Sequence, residues 1–593
     1  GTAGAGGKVA VKASNMSKSS DSVSVVAGSV TIDKAALINV SGAGAGSKGG
    51  SADIAAQNVT IAGQVLANGA SGGGDIKVAG TTLDVTADSA LRADAADAGD
   101  GGRVTVIADL TDDSSKATFA GALSAKGGSQ SGNGGFIETS GSKVSIADTV
   151  RVATSAGAGK FGQWLIDPQD FTIAATGGDI SGTTLSGNLG SNALVTIQSS
   201  SGAKAGAGDI NINDAITWNA NKLSLVAARN VNINAKLTAT GSATLDLHSA
   251  TTNGVDPSVA GGDVLVGKNA PTVSSGETFK GSVDFGGRSG GGILTVNSNA
   301  YTVVSNISQM QSIASAPNGN YALGGTIDAS ASNLWNAGQG FNPIAAFSGN
   351  LNGLGNVITN LQINRPGNNN VALFAQNTGN IRNLAIENGS VLGANNVAAL
   401  VADNSSAGTV VNVYSNASVQ ANGNTVGGLV AIQSGGVIDG ASVNNTVSSS
   451  VGSIVGGLIG QQSNGAVVKN SFASGNVSGA MTIGGLVGQA NGLIDASHAS
   501  GKVTAASYYA GGLAGQTGAS GTNHVTNSYA TGATSSGQQY AGGLIGYDAG
   551  ANPLNTYATG EVTTGAYGGG LIGKTGAGTV AQSYATGKVN TPN

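Results

Sequence analysis

The chain of 593 residues contains no cysteine, so neither a disulfide framework nor a thiolate zinc site can hold it together. Charged residues supply only 10% of it, against about 25% in ordinary soluble domains. The net charge is −5, with no basic stripe, which leaves a nucleic acid without its electrostatic footprint. No run of 18 apolar residues occurs, so no helical membrane span is expected. Aromatic residues are 4%, prolines number 8, and histidine is confined to His248, His498 and His524. No HxxxH or Ser-His-Asp spacing emerges, and no cofactor, metal or catalytic residue is assigned.

Glycine fills much of the space left over, with 100 residues or roughly 17% against a usual 7%. There is no Gly-X-Y register, which excludes collagen. Val, Ile and Leu recur throughout, so the chain has apolar surface to bury and is not a disordered low-complexity tract. Ser, Thr, Asn and Gly between them favour strands and turns. The opening Gly1-Thr2-Ala3-Gly4 has no signal-peptide pattern and reads as an internal or processed piece of a longer protein. The lack of cysteine fits export in an unfolded form.

The pattern that organises the chain is a repeat. Gly427-Gly428-Leu429-Val430 returns at Gly456, Gly484, Gly511, Gly542 and Gly569, at intervals of 29, 28, 27, 31 and 27 residues. Looser copies precede it at Val371-Ala372-Leu373-Phe374 and Ala398-Ala399-Leu400-Val401. A fixed period with slight variation marks stacked units that bury a core only against their neighbours. Each repeat has a second half, such as Asn527-Ser528-Tyr529-Ala530-Thr531-Gly532. Three β-like runs are read per repeat, as in Gly484 to Gln489, Leu493 to Ser500 and Lys502 to Ala506. That content suits one triangular coil of a parallel β-helix. Leu429, Leu458, Leu486, Leu513, Leu544 and Leu571 would then stack as an internal ladder.

Residues 1–170 carry a looser repeat, in which Gly73-Gly74, Gly101-Gly102 and Gly134-Gly135 each precede a strand of alternating character. Trp164-Leu165-Ile166-Asp167-Pro168 is bulky for this chain and is expected to plug or redirect the coil. Residues 171–300 resume the β pattern. A junction follows at 301–345, with a short helix expected over Ile307 to Ala314, and the regular repeats of about 28 residues occupy 346–593.

Phe472, His498, Tyr529, Tyr557 and Tyr584 fall in register, one per coil. Ser or Thr precedes each and Ala follows each. The small neighbours are expected to face a tight interior, leaving an exposed aromatic column. Phe472, Tyr529, Tyr557 and Tyr584 are therefore candidate glycan-binding residues able to stack on sugar rings; the other reading is a purely structural stack, with His498 as a swapped aromatic. Asp94, Asp97, Asp100, Asp109, Asp112 and Asp113 could supply hard oxygen ligands to calcium or be solvated loop carboxylates. Asn and Thr could form stacked ladders that stabilise the coils, or a flat array that binds ice or glycans. Arg92, Arg103, Arg151, Arg229, Arg288, Arg365 and Arg382 show no evident partners. The Gly-Gly steps precede strands, whereas a phosphate loop needs a following helix.

Gly-Gly-Leu-Val-Gly followed by Ser-Tyr-Ala-Thr-Gly resembles the GLUG repeat of bacterial surface proteins, and Phe347 to Ile363 resembles the segment that introduces such repeats. Gly134-Gly135-Phe136-Ile137-Glu138-Thr139-Ser140-Gly141 with Trp164-Leu165-Ile166-Asp167-Pro168 resembles filamentous-haemagglutinin and high-molecular-weight adhesins. That resemblance implies an all-β, right-handed parallel β-helix (a β-solenoid), an elongated rod of roughly 120 Å at the usual strand spacing. It further implies two-partner secretion through an outer-membrane β-barrel and display on a Gram-negative cell, extracellular or at the outer-membrane surface. The function expected is adhesion without catalysis: attachment, or cell–cell and biofilm-matrix contact. The expected partners are host or matrix glycans, surface receptors or sister cells. The alternatives are a β-helical polysaccharide-degrading enzyme, which needs clustered carboxylates with Arg or Lys across a groove, and the stalk of a contact-dependent toxin-delivery protein.

Overall fold

A computed structural model describes residues 4–12, 18–19, 22–23, 28–199, 206–250, 262–268, 279–405, 407–451, 453–518, 525–576 and 578–591. The first and last residues of the chain, and His524, lie outside the described residues. The chain divides into two compact units. One comprises Gly1–Lys268, Phe279–Gly286 and Gly291–Tyr301; the other comprises Asn269–Thr278, Gly287–Gly290 and Thr302–Asn593. Both are parallel β-solenoids.

In the amino-terminal unit, one side of the coil stacks Asp75–Gly80, Arg103–Ala108, Phe136–Ser140 and Gln163–Asp167 in parallel, in the register Asp75↔Arg103↔Phe136↔Gln163. A second side stacks Thr82–Val85, Lys116–Phe119 and Lys143–Ile146, and a third stacks Ala90–Arg92, Ala122–Ser124 and Arg151–Ala153. Alternation places Ile76, Val78, Leu83, Val85 and Leu91 inside, each no more than 1% exposed, and turns Asp75 and Lys77 outward. Each strand pairs with the coil before and the coil after, so the main chain leaves no free edge between them. Glycine opens these strands because the coils touch there: a Cβ on Gly102 would lie 2.0 Å from the Gly74 carbonyl oxygen.

Two expectations change in this unit. Trp164 does not redirect the coil. Its strand continues the ladder to Leu194–Ser199, while its side chain is buried and its indole Nε1 donates to Thr139 Oγ1 at 2.9 Å. The β pattern after Phe171 is also not continuous, since Gly182–Leu189 is an α-helix. Ser181 caps it by accepting from the Thr184 N–H, and Leu185 and Leu189 bury one face. The cap and this i, i+4 pair were the available signal; four Gly or Thr residues within eight obscured it.

In the carboxy-terminal unit, helix Ile307–Ser312 runs into a 3-10 turn at Ile313–Ser315. An early coil holds the expected three strands, Phe374–Asn377, Asn380–Glu387 and Ser390–Gly393, whereas later repeats are divided into five. In one repeat these are Thr482–Gly484, Val487–Ala490, Leu493–Asp495, His498–Ala499 and Val503–Ala505. The first expected run is divided by the Gly484-Gly485-Leu486 corner. The second is divided by a left-handed residue, Ala496 (φ 46), at the place where other coils use Asn470 (φ 50), Asn527 (φ 50) and Asn555 (φ 54). Asparagine tolerates that conformation because its short amide bonds locally. The leucine ladder is present: Leu429, Leu458, Leu486, Leu513 and Leu544 are fully buried. Their main chains are bonded in sequence, with Leu486 N–H donating to Leu513 at 2.9 Å and Leu513 N–H to Leu544 at 2.8 Å. An amide ladder occurs in earlier coils of the same unit, Asn320–Asn350–Asn380, with 2.7 Å at each step.

Candidate functional site

The register of the carboxy-terminal coils brings the predicted aromatic residues together. Phe472 pairs with His498, then Tyr529, Tyr557 and Tyr584, on one side of the solenoid. Their neighbours Ser471, Ser497, Ser528, Ala473, Ala499 and Ala530 are buried. Small residues thus occupy the interior, and the rings stand half-exposed outside. Successive ring centroids are 5.2, 4.6, 4.6 and 5.4 Å apart, with interplanar angles of 6°, 4°, 4° and 10°. Rings stacked this way cover one another's faces. Both faces of His498, Tyr529 and Tyr557 are covered in this way, while Phe472 and Tyr584, at the two ends, each stack on one neighbour of the column. Burial lowers the His498 pKa, which favours the neutral imidazole that stacks without desolvating a charge.

A second aromatic group was not anticipated. Tyr509, Tyr540 and Tyr567 pair in register on the strand that precedes each Gly-Gly corner, and Tyr547 and Lys574 pair on the strand that follows it. The signal was a tyrosine two residues before the glycine pair, in Tyr509-Ala510-Gly511 and Tyr540-Ala541-Gly542.

The carboxylates Asp94, Asp100, Asp109 and Asp112 accept hydrogen bonds from nearby chain groups. Asp94 takes Ser124 Oγ and the Lys126 N–H, both at 2.8 Å; Asp100 takes the Asn133 N–H at 2.7 Å. Asp109 and Asp112 close their own turns onto Thr111 and Ser114. Such caps are structural work for these oxygens, and no group of three or more potential ligands is gathered for a metal among the described residues.

Several arginines acquire partners that the sequence did not suggest: Arg151 donates to the Asp148 and Val150 carbonyls and Arg365 to the Phe341 carbonyl and Gln339. Arg229 makes a bidentate pair with Asp209, at 2.8 and 2.6 Å, and Arg103 lies over the Phe136 ring at 4.2 Å. Ser224, Asp246 and His248 also converge. Ser224 Oγ donates to Asp246 at 3.2 Å, and His248 Nε2 lies 3.0 Å from the same carboxylate. In a nucleophilic triad the serine bonds to the histidine; here both bond to the aspartate, which Lys222 and Thr295 also engage.

Asp179 is held well above the usual carboxylate range, pushed up to about 6 by burial, with Asp170 adding repulsion against the Thr172 N–H bond that lowers it. A raised folded-state pKa penalises the ionised form. The penalty is complete above pH 6 and vanishes below the unfolded pKa near 3.8. Stability from this group is therefore present at pH 4 and lost towards pH 7, by roughly 1–3 kcal/mol. Asp179→Asn, which keeps an acceptor for Thr172, is expected to raise the melting temperature at pH 7 and leave it unchanged at pH 4. An equal difference at both pH values would count against the assignment.

With this geometry in place, similarity to known proteins can be stated. Residues 451–478 match the GLUG motif. The chain carries GLUG repeats. It is 43% identical over 119 residues to Halomucin of Haloquadratum walsbyi, a stretch covering 18% of this chain and 1% of that protein. It thus spans about one hundredth of that relative's length. A solved structure from Bacteroides ovatus, described as a candidate immunoglobulin A1 protease, is 17% identical with a TM-score of 0.33, covering 48% of this chain and 84% of that one.

Proposed function

We propose that this chain is the shaft and repeat region of a surface-displayed or secreted adhesin, and that it works by contact rather than by catalysis. The observation that carries the reading is the column Phe472–His498–Tyr529–Tyr557–Tyr584. It repeats one outward aromatic ring over five successive coils, and a repeated lateral surface suits many weak contacts made together. The GLUG match and the similarity to Halomucin support the same reading. The resemblance to filamentous-haemagglutinin-type proteins adds secretion through an outer-membrane β-barrel and display on a Gram-negative surface. The partners proposed are host or matrix glycans, surface receptors or sister cells.

The test is attachment of the soluble chain to cells and to a glycan array, beside a Tyr529→Ala/Tyr557→Ala/Tyr584→Ala variant with unchanged circular dichroism. Attachment by the parent, at least tenfold weaker in the variant, is the expected result. No attachment by the parent would overturn the reading in favour of a spacer.

A polysaccharide-degrading enzyme is the second reading. The observation that favours it is the grouping of Asp170, Asp179, Asp209 and Arg229. Those carboxylates, however, are bonded to the N–H groups of Asp209, Thr172 and Asn230, which makes them corner caps first.

A further inference from the structure

The Gly-Gly-Leu corner folds back on its outer side. Ala372, Ala398, Ala402 and Ala431 are fully buried, yet they cluster apart from the main core. Register aligns Ala398 with Gly427, and Ala402 with Ala431 and Gly460. These small residues therefore occupy the outer angle between the strand before the corner and the strand after it. A Cβ on Gly427 would lie 1.9 Å from the Val430 carbonyl oxygen, and one on Gly460 would lie 2.7 Å from that of Ala431. A Cβ on Gly460 would also lie 2.9 Å from Thr425 Cγ2 and one on Gly488 2.9 Å from Ile454 Cγ2, so the glycine and alanine row is a packed seam, and what runs from coil to coil is a shallow surface cleft between the side chains on either side of it.

Register also gives the walls. One carries Thr425, Ile454, Thr482, Tyr509, Tyr540 and Tyr567 in succession. The facing wall carries Ile432, Gln461, Gln489, Gln516, Tyr547 and Lys574. The cleft thus turns aromatic in its last coils. Tyr509 and Tyr547 meet across it with centroids 5.3 Å apart. The rings are splayed, by 24° between Tyr509 and Tyr540, 17° between Tyr540 and Tyr567, and 47° between Tyr508 and Tyr509. Tyr567 is 62% exposed. Among the described residues, no group engages any of these five phenol hydroxyls. The Lys574 ammonium lies over two of the rings, 5.0 Å from Tyr540 and 4.9 Å from Tyr547, and no carboxylate of the described residues pairs with it.

We propose that this tyrosine-lined cleft, centred on Lys574, binds an acidic polysaccharide through the carboxylate of a uronate residue. Ring edges and unengaged phenol hydroxyls, rather than faces already covered by neighbouring rings and by Lys574, present the mixed apolar and polar surface that suits a pyranose ring. The ammonium, fixed over ring faces, supplies a charge-assisted bond to one anionic group. A nucleic acid would need several phosphates neutralised. Residues 471–593 carry Lys502, Lys574 and Lys588 against Asp495, Asp548 and Glu561, a balance of zero. A peptide strand would need a free sheet edge, and the coils use theirs. The inference rests on the adhesive reading for its biological meaning, but its geometry is independent of the outer aromatic column.

Calorimetric titration of the full chain with oligogalacturonate and with alginate oligomers tests it. Carboxyl-reduced oligogalacturonate and heparin serve as comparison ligands. At least one uronate oligomer is expected to bind, and the carboxyl-reduced ligand to bind at least tenfold more weakly. Lys574→Gln should lose about tenfold and Tyr540→Ala at least as much, while Tyr529→Ala/Tyr557→Ala should bind as the parent does. Heparin also carries uronate carboxylates, so its binding counts with theirs; the proposal is overturned if neither the uronate oligomers nor heparin bind, if the reduced ligand binds equally, or if Lys574→Gln has no effect. Cell attachment without uronate binding would sink this inference and leave the adhesive reading standing. Uronate binding without cell attachment would do the reverse.

Discussion

Gly485→Ala is expected to disrupt the coils on either side of it, lowering the unfolding free energy of the carboxy-terminal unit by several kcal/mol. The added Cβ would sit 2.0 Å from the Gly512 carbonyl oxygen and 3.0 Å from the Ala499 Cβ. The oxygen is main chain of the next coil, and the Gly485 N–H is itself bonded to Gly511 at 3.1 Å. No rotamer change relieves such a contact, so the two coils must separate. Gly485 does not have a positive φ; its requirement is closeness, not conformation. In a solenoid each coil is stabilised mainly by its neighbours, so one forced separation weakens both interfaces. Gly187→Ala is the control. It lies within a helix, with nothing within 4 Å of the new Cβ, and alanine there should stabilise by about 0.5–1 kcal/mol. Denaturant unfolding of both variants decides the matter, since equal effects would mean that the corner does not hold the coils in contact.

The same corner explains what could and could not be read from the sequence. Its spacing was legible because every coil must bring a glycine pair to the same close approach, and the leucine after it must enter the core. Period and ladder therefore follow from the residues themselves. The division of the later coils into five strands was not legible. It depends on a left-handed residue that is Asn470 or Asn527 in some coils but Ala496 in another, and an alanine carries no such signal. The helix Gly182–Leu189 was hidden for a similar reason, as its Gly and Thr residues match the surrounding turn composition. For the aromatic column, the alternation of small and large residues gave the outward direction. It could not give ring orientation, because a ring half-exposed on a strand can present a face or an edge, and only the spacing between coils turns the faces together. The tyrosine cleft escaped because its two walls come from strands on opposite sides of a corner, and sequence periodicity shows each wall without showing that they meet.

Leu513→Ala is expected to cost about 2.7–5 kcal/mol, the range for a buried leucine whose cavity cannot close. Leu513 is fully buried between Leu486 and Leu544, and the main-chain bonds that set the coil spacing resist collapse into the space. Native circular dichroism should be unchanged, because those bonds are untouched. Leu571→Ala should cost at most half as much, since Leu571 is only partly buried against the same core. Tyr557→Ala should cost about 0.5–1.5 kcal/mol through lost stacking, as its ring packs on Tyr529 and Tyr584 outside the core. This order separates the side chains that hold the coils from those that meet a partner. Were Tyr557→Ala as damaging as Leu513→Ala, the column would be part of the core, and attachment lost in its variants would report misfolding instead of a missing surface.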